Sequence, residues 1–536
     1  MIDLEHVTFT YTDAPRPTLR DVNLYIPEGE LCVVIGETGT GKTTLLRIMN
    51  GLVPHFSGGR LAGTVTVDGR TTQDNRPRQL ADVVGFVGQN PLASFVTETV
   101  EDELAYTMEN LGVPPAAMRR RVEDTIDLLG LAELRDRSLR ALSGGQQQRV
   151  AIGAVLTASP RILVLDEPTS ALDPAAAEEV LSALARLVHD LGLTVVMAEH
   201  RLERVLPFAD RIVLIPGDGA PVQVGTPEVM MREAPVAPPL VELGRLCGWD
   251  PLPLTVRDAR RQAGILRQQL STARPPVVPE TAHHEAASVR GLRASYGPIV
   301  ALDGVDLTVH ASEVMVLMGR NGSGKSTLLT TLAGARPPGR GTVLVGGEAP
   351  HGLRATDLIR QVGLVPQDPG LLLYGESVGA ECQTADRSSH LAEGTTRATL
   401  ERVLPGMPLD RHPRDLSEGQ RLALALAVIL APAPGVLLLD EPTRGLDYPS
   451  KDRLMVVLRE LAVAGHAVVV ATHDVELAAR VADRAVVLAD GQVIADGPAR
   501  AVVCHSPIFA PQVAKVLAPD EWLTVAEVRA GLEVAV

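Results

Sequence analysis

The sequence predicts an α/β protein of two tandem domains, each built around a mainly parallel sheet, and three observations predict it. The chain repeats itself: Lys42, Ser143, Asp166 and His200 recur as Lys325, Ser417, Asp440 and His473, at offsets of 283, 274, 274 and 273 by subtraction. Collinear copies that differ by small insertions mark a tandem duplication. Each copy also runs an apolar, strand-like segment into a glycine-rich loop of the form GxxxxGK[ST]. Further on, each has a run of branched apolar residues ending in two acids, as expected of a central parallel strand that delivers carboxylates to its C-terminal edge.

Composition limits what these domains can do. A chain of 536 residues is too long for a single core. With 45% hydrophobic and 21% charged residues it can bury large cores and stay soluble. A net charge of −15 argues against nucleic acid as a partner, because phosphate backbones are held by clustered Lys and Arg. It leaves room for a small anion held by backbone amides. Cys32, Cys247, Cys382 and Cys504 are far apart and form no CxxC, so neither a disulfide framework nor a zinc site is expected, and a reducing compartment is. No targeting sequence is read in "MIDLEHVTFTYTD". The uncharged stretch from Leu422 to Leu439 is broken by Pro432, Pro434 and Gly435, which predicts a helix, a short turn and a buried strand "VLLLD" in place of a membrane span.

Along the chain, the repeat places a first domain at 1–232 with a helical C-terminal appendage at 233–270, and a second domain at 289–500 with its appendage at 501–536. "PLTVRDAR" at Pro253 is echoed by "WLTVAEVR" at Trp522. Thr524 with Glu527 has capping-box spacing and Thr255 with Asp258 a weaker version, so each predicts a short helix. Between the halves, "STARPPVVPETAHHEAAS" at 271–288 reads as a Pro-rich linker whose His283 and His284 are solvated.

The first glycine loop lies in "LCVVIGETGTGKTTLLRIM" and comprises Gly36, Glu37, Thr38, Gly39, Thr40, Gly41, Lys42, Thr43 and Thr44. The second, in "VMVLMGRNGSGKSTLLTTL", comprises Gly319, Arg320, Asn321, Gly322, Ser323, Gly324, Lys325, Ser326 and Thr327. Glycines let the backbone curl so that successive amides face phosphate oxygens, and the following helix adds its positive end. Lys42 and Lys325 are expected to reach the β and γ phosphates, with Thr43 and Ser326 on Mg²⁺. In "RILVLDEPTSALD" and "GVLLLDEPTRGLD", Asp166 and Asp440 are candidate Mg²⁺ ligands, and Glu167 and Glu441 candidate bases for an attacking water.

Further motifs complete the pattern: "LSGGQ" and "LSEGQ" before the acids, "SALD" and "RGLD" after them, Gln89 in "GFVGQNP", Gln367 in "GLVPQDP", His200 in "VVMAEHR" and His473 in "VVVATHD". Together these resemble the ATP-binding subunit of an ABC transporter, present twice. The resemblance implies tandem P-loop NTPase domains of ABC ATPase type, each with an antiparallel β portion and a helical subdomain beside its parallel core. ATP and Mg²⁺ are the implied ligands. Gln89, Gln367, His200 and His473 take implied catalytic roles, the two glutamines also as metal ligands, while Tyr11 and Tyr296 would stack on adenine. Ser143, Gly144, Gly145 and Gln146, and likewise Ser417, Gly419 and Gln420, would contact ATP held by the opposite half. Glu418 departs from the pattern by replacing a glycine, and its charge is expected to weaken closure on the first half's ATP without preventing hydrolysis there.

Two stretches, "QNPLASFVTETVEDELAYTMENLGVP" and "AEHRLERVLPFADRIVLI", resemble the ATPase of energy-coupling-factor (ECF-type) importers of vitamins and metal ions. That likeness implies a peripheral place on the cytoplasmic face of the cell membrane. The implied partners are separate transmembrane subunits, an ECF-type coupling protein and a substrate-binding membrane protein. A vitamin, a vitamin precursor, cobalt or nickel are the implied cargoes. In "AAMRRRVEDTIDLLG", Met118, Val122, Ile126 and Leu129 share one helical face and the arginines a solvated one. The second half reads as polar and irregular in the matching region, "QTADRSSHLAEGTTRATL". The ATPase of a sugar or peptide importer is the alternative. A soluble ribosome-associated tandem protein calls for a long charged helical connector, and a scaffold without hydrolysis does not need Glu167 and Glu441.

Overall fold

Both halves build the same six-stranded sheet. The computed structural model describes residues 1–12, 14–170, 172–217, 219–276 and 284–535. These form two units, Met1–Thr255 and Val256–Val536.

In the first unit, β1 (Ile2–Thr10) and β2 (Leu19–Ile26) alternate buried and exposed residues and pair antiparallel. β3 (Leu31–Ile35) is buried at every position and runs into the glycine loop and the helix Lys42–Met49. β4 (Arg60–Val67) and β5 (Arg70–Thr71) complete an antiparallel sheet of order β2-β1-β4-β5. β6 (Val84–Val87), β7 (Ile162–Asp166), β8 (Thr194–Ala198), β9 (Arg211–Leu214) and β10 (Gln223–Gly225) join β3 in the order β10-β9-β3-β8-β7-β6. All of these are parallel except the edge strand β10. Strands buried on both faces belong in such a sheet, which is why β3, β7 and β8 read as unbroken apolar runs. Ile2, Leu4 and Val7 of the antiparallel sheet pack with Leu45, Ile48 and Met49 of the loop's helix and with Cys32 and Val34 of β3 in one core. That packing fixes the glycine loop against the C-terminal edge of the parallel sheet.

The helices Val100–Asn110, Pro115–Leu129 and Gly144–Leu156 form the helical subdomain. Thr99 caps the first of these, and three acids sit in its first turn. The buried Glu103 accepts the amides of Val96 and Thr97 at 3.0 and 2.9 Å, tying down the segment that follows Gln89. Val122, Ile126 and Leu129 are buried together as expected, with Met118 at the rim. Arg119 and Arg120 are solvated, whereas Arg121 turns back to donate to the Thr157 carbonyl at 3.2 Å.

The second unit repeats this plan. β11 (Glu285–Tyr296), β12 (Ile299–His310), β13 (Val314–Met318), β14 (Arg340–Val345), β15 (Val362–Val365), β16 (Val436–Asp440), β17 (Ala467–Ala471), β18 (Arg484–Ala489) and β19 (Gln492–Pro498) form two sheets, of order β12-β11-β14 and β15-β16-β17-β13-β18-β19. Read from the other edge, the larger sheet has the strand order of its counterpart. β11 starts inside the segment read as linker, because Ala287 already packs in the core. Residues 277–283 of that segment, including His283, lie outside the described residues. The Leu422–Leu439 stretch is a helix, Glu418–Leu430, followed by a turn and β16. Among the described residues, no helix is long and apolar enough to cross a membrane.

The appendages differ from a simple split at residue 270. The helices Val256–Gln262 and Gly264–Leu270 belong to the second unit, where Arg260 Nε and Arg267 Nη2 donate to the carbonyls of Lys515 and Val516, each at 2.6 Å. The expected cap at Thr524 is present, its hydroxyl accepting the Glu527 amide at 3.2 Å.

The region read as polar and irregular is in fact two helices, Val378–Ser388 and Thr395–Val403. Its polarity has an internal partner. Asp386 is buried and accepts the amides of Gly394 and Thr396 at 2.7 and 2.8 Å and the Thr396 hydroxyl at 2.6 Å, organising the start of the second helix. Burial disfavours its charge, but the hydrogen bonds from Thr396, Gly394 and Thr395 outweigh that and hold the carboxyl below its ordinary range. Asp386→Ala is therefore expected to cost about 1–3 kcal/mol of stability, because it leaves buried donors unpaired. A carboxylate with a depressed folded pKa contributes fully above its unfolded pKa, about 3.9, and loses the contribution as pH falls toward its folded value. Thermal melting of both proteins should show a gap at pH 7 that narrows as pH falls below about 4.

Candidate functional site

Each glycine loop is folded around its own lysine. Lys42 Nζ donates to the carbonyls of Gly36 and Glu37, both at 2.8 Å, and Lys325 Nζ to those of Gly319 and Arg320 at 2.8 and 3.1 Å. The curl of Glu37, Thr38, Gly39 and Thr40 is closed by the Thr40 hydroxyl on the Glu37 carbonyl at 2.9 Å. In the second loop, the Ser323 amide closes the curl of Arg320, Asn321 and Gly322 onto the Arg320 carbonyl at 3.2 Å. Each lysine opens a helix whose first-turn amides have no partner within the helix, so a cation and a set of donors converge on one place.

Facing each loop are the acids at the ends of β7 and β16. Thr43 Oγ1 donates to Asp166 Oδ1 at 3.1 Å, and Ser326 hydrogen-bonds Asp440 in the same way. Burial pushes both carboxyls up, the neighbouring Glu167 and Glu441 add to this, and the hydroxyls oppose it. A hydroxyl and a carboxylate side by side form a hard-oxygen pair that suits Mg²⁺, a cation that usually takes one or two carboxylates and completes its shell with phosphate and water.

Glu167 and Glu441 share a φ of 50°, in the left-handed region that non-glycine residues seldom occupy. Their amides donate to the carbonyls of Ala198 and Ala471, at the ends of β8 and β17, which holds this turn. His200 Nε2 lies 3.1 Å from Glu167 Oε1, and His473 Nδ1 lies 2.8 Å from Glu441 Oε2. In the first half, Gln89 Nε2 also donates to Glu167 Oε2 at 3.0 Å. Ser143 and Gln146 cap each other, with Ser143 Oγ accepting the Gln146 amide at 3.4 Å and Gln146 Oε1 accepting the Ser143 amide at 2.9 Å. Ser417 and Gln420 repeat this at 3.3 and 3.1 Å. Gly144 and Gly145, and Glu418 and Gly419, follow as the first two residues of their helices. Each capping hydroxyl accepts from the first turn of its helix.

This doubled arrangement has relatives. Residues 19–170 and 302–444 match the ABC transporter family. The chain is 58% identical, over 99% of its length, to the whole of a Streptomyces avermitilis protein classed as an ABC transporter ATP-binding protein. The chain belongs to the ABC transporter family. It carries two tandem ABC ATPase domains, and it is an ATP-binding, ATP-hydrolysing component of a transporter. A Methanosarcina mazei protein of the same class is 34% identical over 94% of this chain and 90% of its own. Among solved structures, a chain in a ribosome-bound assembly of archaeal Pelota and ABCE1 aligns over 95% of this chain and 80% of its own, at 21% identity and a TM-score of 0.63, which is a likeness of fold.

Within this ABC ATPase pair the two halves differ at named residues. Among the described residues no hydrogen bond joins Gln367 to Glu441, and Gln367 is exposed. Tyr11 hydrogen-bonds Thr44 Oγ1 at 3.0 Å and sets its ring edge-on to Phe9, with centroids 4.7 Å apart. Tyr296 has Ala294 where Tyr11 has Phe9, and instead holds the Arg336 guanidinium 3.8 Å from its ring centroid, a cation–π contact. Glu418 is not the bare charge expected from its position. Arg421 Nη1 donates to Glu418 Oε1 at 2.9 Å, so the departure from glycine is compensated one turn along the helix. Sequence reading passed over Arg421, although its i, i+3 spacing from Glu418 signals the pair. Arg336 gave no local signal.

Proposed function

We propose that this chain drives an ECF-type importer from the cytoplasmic face of the membrane, taking up a vitamin, a vitamin precursor, or a cobalt or nickel ion through separate membrane subunits. Hydrolysis in this reading rests on one constellation, Gln89, Glu167 and His200 around a single carboxylate. Lys42 and Lys325 leave their loop carbonyls to hold the terminal phosphates, and the loop amides bind the rest. Mg²⁺ held by Thr43 with Asp166, and by Ser326 with Asp440, would neutralise charge developing between the phosphates. Glu167 and Glu441 take a proton from the attacking water, while His200 and His473 orient them. Tyr11 and Tyr296 stack on adenine.

Two exposed apolar groups support docking on a membrane partner. Leu92 and Val96, just after Gln89, are 45% and 61% exposed, and Leu371 and Tyr374, just after Gln367, are 62% and 86% exposed. Glu103 and Glu381 hold these segments by their backbone amides, Glu381 Oε2 accepting from Tyr374 and Gly375 at 2.7 and 2.6 Å. An anchored segment that shows apolar side chains beside the catalytic glutamine can transmit a partner's position to the site. Purification in mild detergent should recover multi-span membrane proteins with the chain. Val96→Glu with Tyr374→Glu should release them and leave the ATPase rate of the free chain unchanged. Recovery of ribosomal proteins in place of membrane proteins would overturn the reading.

A further inference from the structure

The halves also differ where the turns of Glu167 and Glu441 meet the loops of His200 and His473. In the first half, Glu199 precedes His200 and is fully buried. Its Oε1 accepts the Thr169 amide at 2.8 Å and the Thr169 hydroxyl, while its Oε2 accepts the His200 amide at 3.0 Å. Thr169 follows Glu167 by two residues, so one carboxylate ties the turn that carries Glu167 to the loop that carries His200. From the next helix, Arg204 Nη1 donates to the carbonyls of Thr169 and Leu172 at 3.2 and 3.1 Å, holding the same turn from its other side. Burial pushes the Glu199 carboxyl up, and the Thr169 hydrogen bonds and the Arg204 charge work against that.

The second half is built differently, and its His473 amide goes to Glu441 Oε2 at 3.4 Å. Thr472 stands in place of Glu199, and its hydroxyl accepts the Asp474 amide at 3.0 Å. Leu477 stands in place of Arg204. Thr443, the counterpart of Thr169, is buried with its hydroxyl oxygen unpaired. A duplicated turn has therefore kept its threonine in both copies and its acceptor in one.

We propose that Glu199 is a positioning residue for hydrolysis in the first half: it straps the Glu167 turn to the His200 loop, and the second half works without such a strap. This rests on the reading of Glu167 as base and His200 as its orienting partner. Holding the two loops in register keeps the base aimed as ATP binds and leaves. A misplacement of about 1 Å in such a group can cost on the order of 10²-fold in rate.

The test uses the full chain with Glu441→Gln, so that the remaining hydrolysis reports on Glu167. Glu199→Thr, which installs the second half's residue, should lower kcat roughly 10- to 100-fold and leave the KM for ATP within about twofold, since the phosphate cradle is untouched. Thr169→Val, a milder change that removes one hydroxyl, should lower kcat less. Adding it to Glu199→Thr should have no further effect, because both break the same contact. Amide exchange at Thr169 and His200 should quicken in Glu199→Thr, with the first glycine loop unchanged. A rate that depends on Glu167 but ignores both Glu199→Thr and Thr169→Val would overturn the strap. A residual rate that ignores Glu167→Gln overturns the reading of Glu167, and the catalytic role of the strap with it.

Discussion

Replacing Glu167 and Glu441 together with Gln is expected to lower ATP hydrolysis by about 10² to 10⁴, the range for losing a positioned base, while ATP still binds. Gln has nearly the same shape, so the Gln89 contact at 3.0 Å and the left-handed turn can persist. What disappears is the ability to take a proton. Binding should survive because Lys42, Lys325 and the loop amides are separate from these side chains. Phosphate release and titration with a fluorescent nucleotide give the two readouts. Wild-type turnover in the double variant would exclude these carboxylates as bases.

Gly324→Ala should damage the second loop strongly through a single methyl group. Gly324 caps the loop's helix at φ 104°, and an added Cβ would lie 2.5 Å from the Ala301 carbonyl oxygen, a backbone atom that cannot swing aside. Strain of roughly 1–3 kcal/mol at such a position corresponds to about 5- to 150-fold weaker ATP binding at this loop. Gly41 has the same φ, but the nearest atom to its added Cβ is the Leu19 Cδ2 methyl at 2.9 Å, which can rotate away. Gly41→Ala should therefore weaken the first loop by less. Nucleotide titration of each variant, with the other loop silenced by Lys→Ala at Lys42 or Lys325, measures both. Equal losses would mean that backbone strain dominates and the carbonyl contact adds nothing.

Several parts of the site were visible in the sequence for local reasons. Gly36 to Thr43 and Gly319 to Ser326 are contiguous, and their spacing alone places a lysine and a hydroxyl at the start of a helix. The buried strands β7 and β16 read directly as apolar runs ending in Asp166–Glu167 and Asp440–Glu441. The segment around Asp386 was misread because its polar residues satisfy one another across a loop, which a count of apolar positions does not detect.

By itself, then, the sequence determined the duplication, the two phosphate loops, the order of strand, loop and helix, and the absence of a span at Leu422–Leu439. The duplication is legible because its copies are collinear, and the others are set by period, spacing or turn chemistry within some twenty residues. Only the tertiary structure decided that Gln89 bonds Glu167 while Gln367 stands apart from Glu441, that Arg336 covers Tyr296, and that Glu199 straps Thr169 while Thr443 is left without an acceptor. The Gln89–Glu167 and Glu199–Thr169 partners are 78 and 30 residues apart in the chain. Which of them meet depends on how the parallel strands bring their C-terminal ends to one edge, and no local period records that.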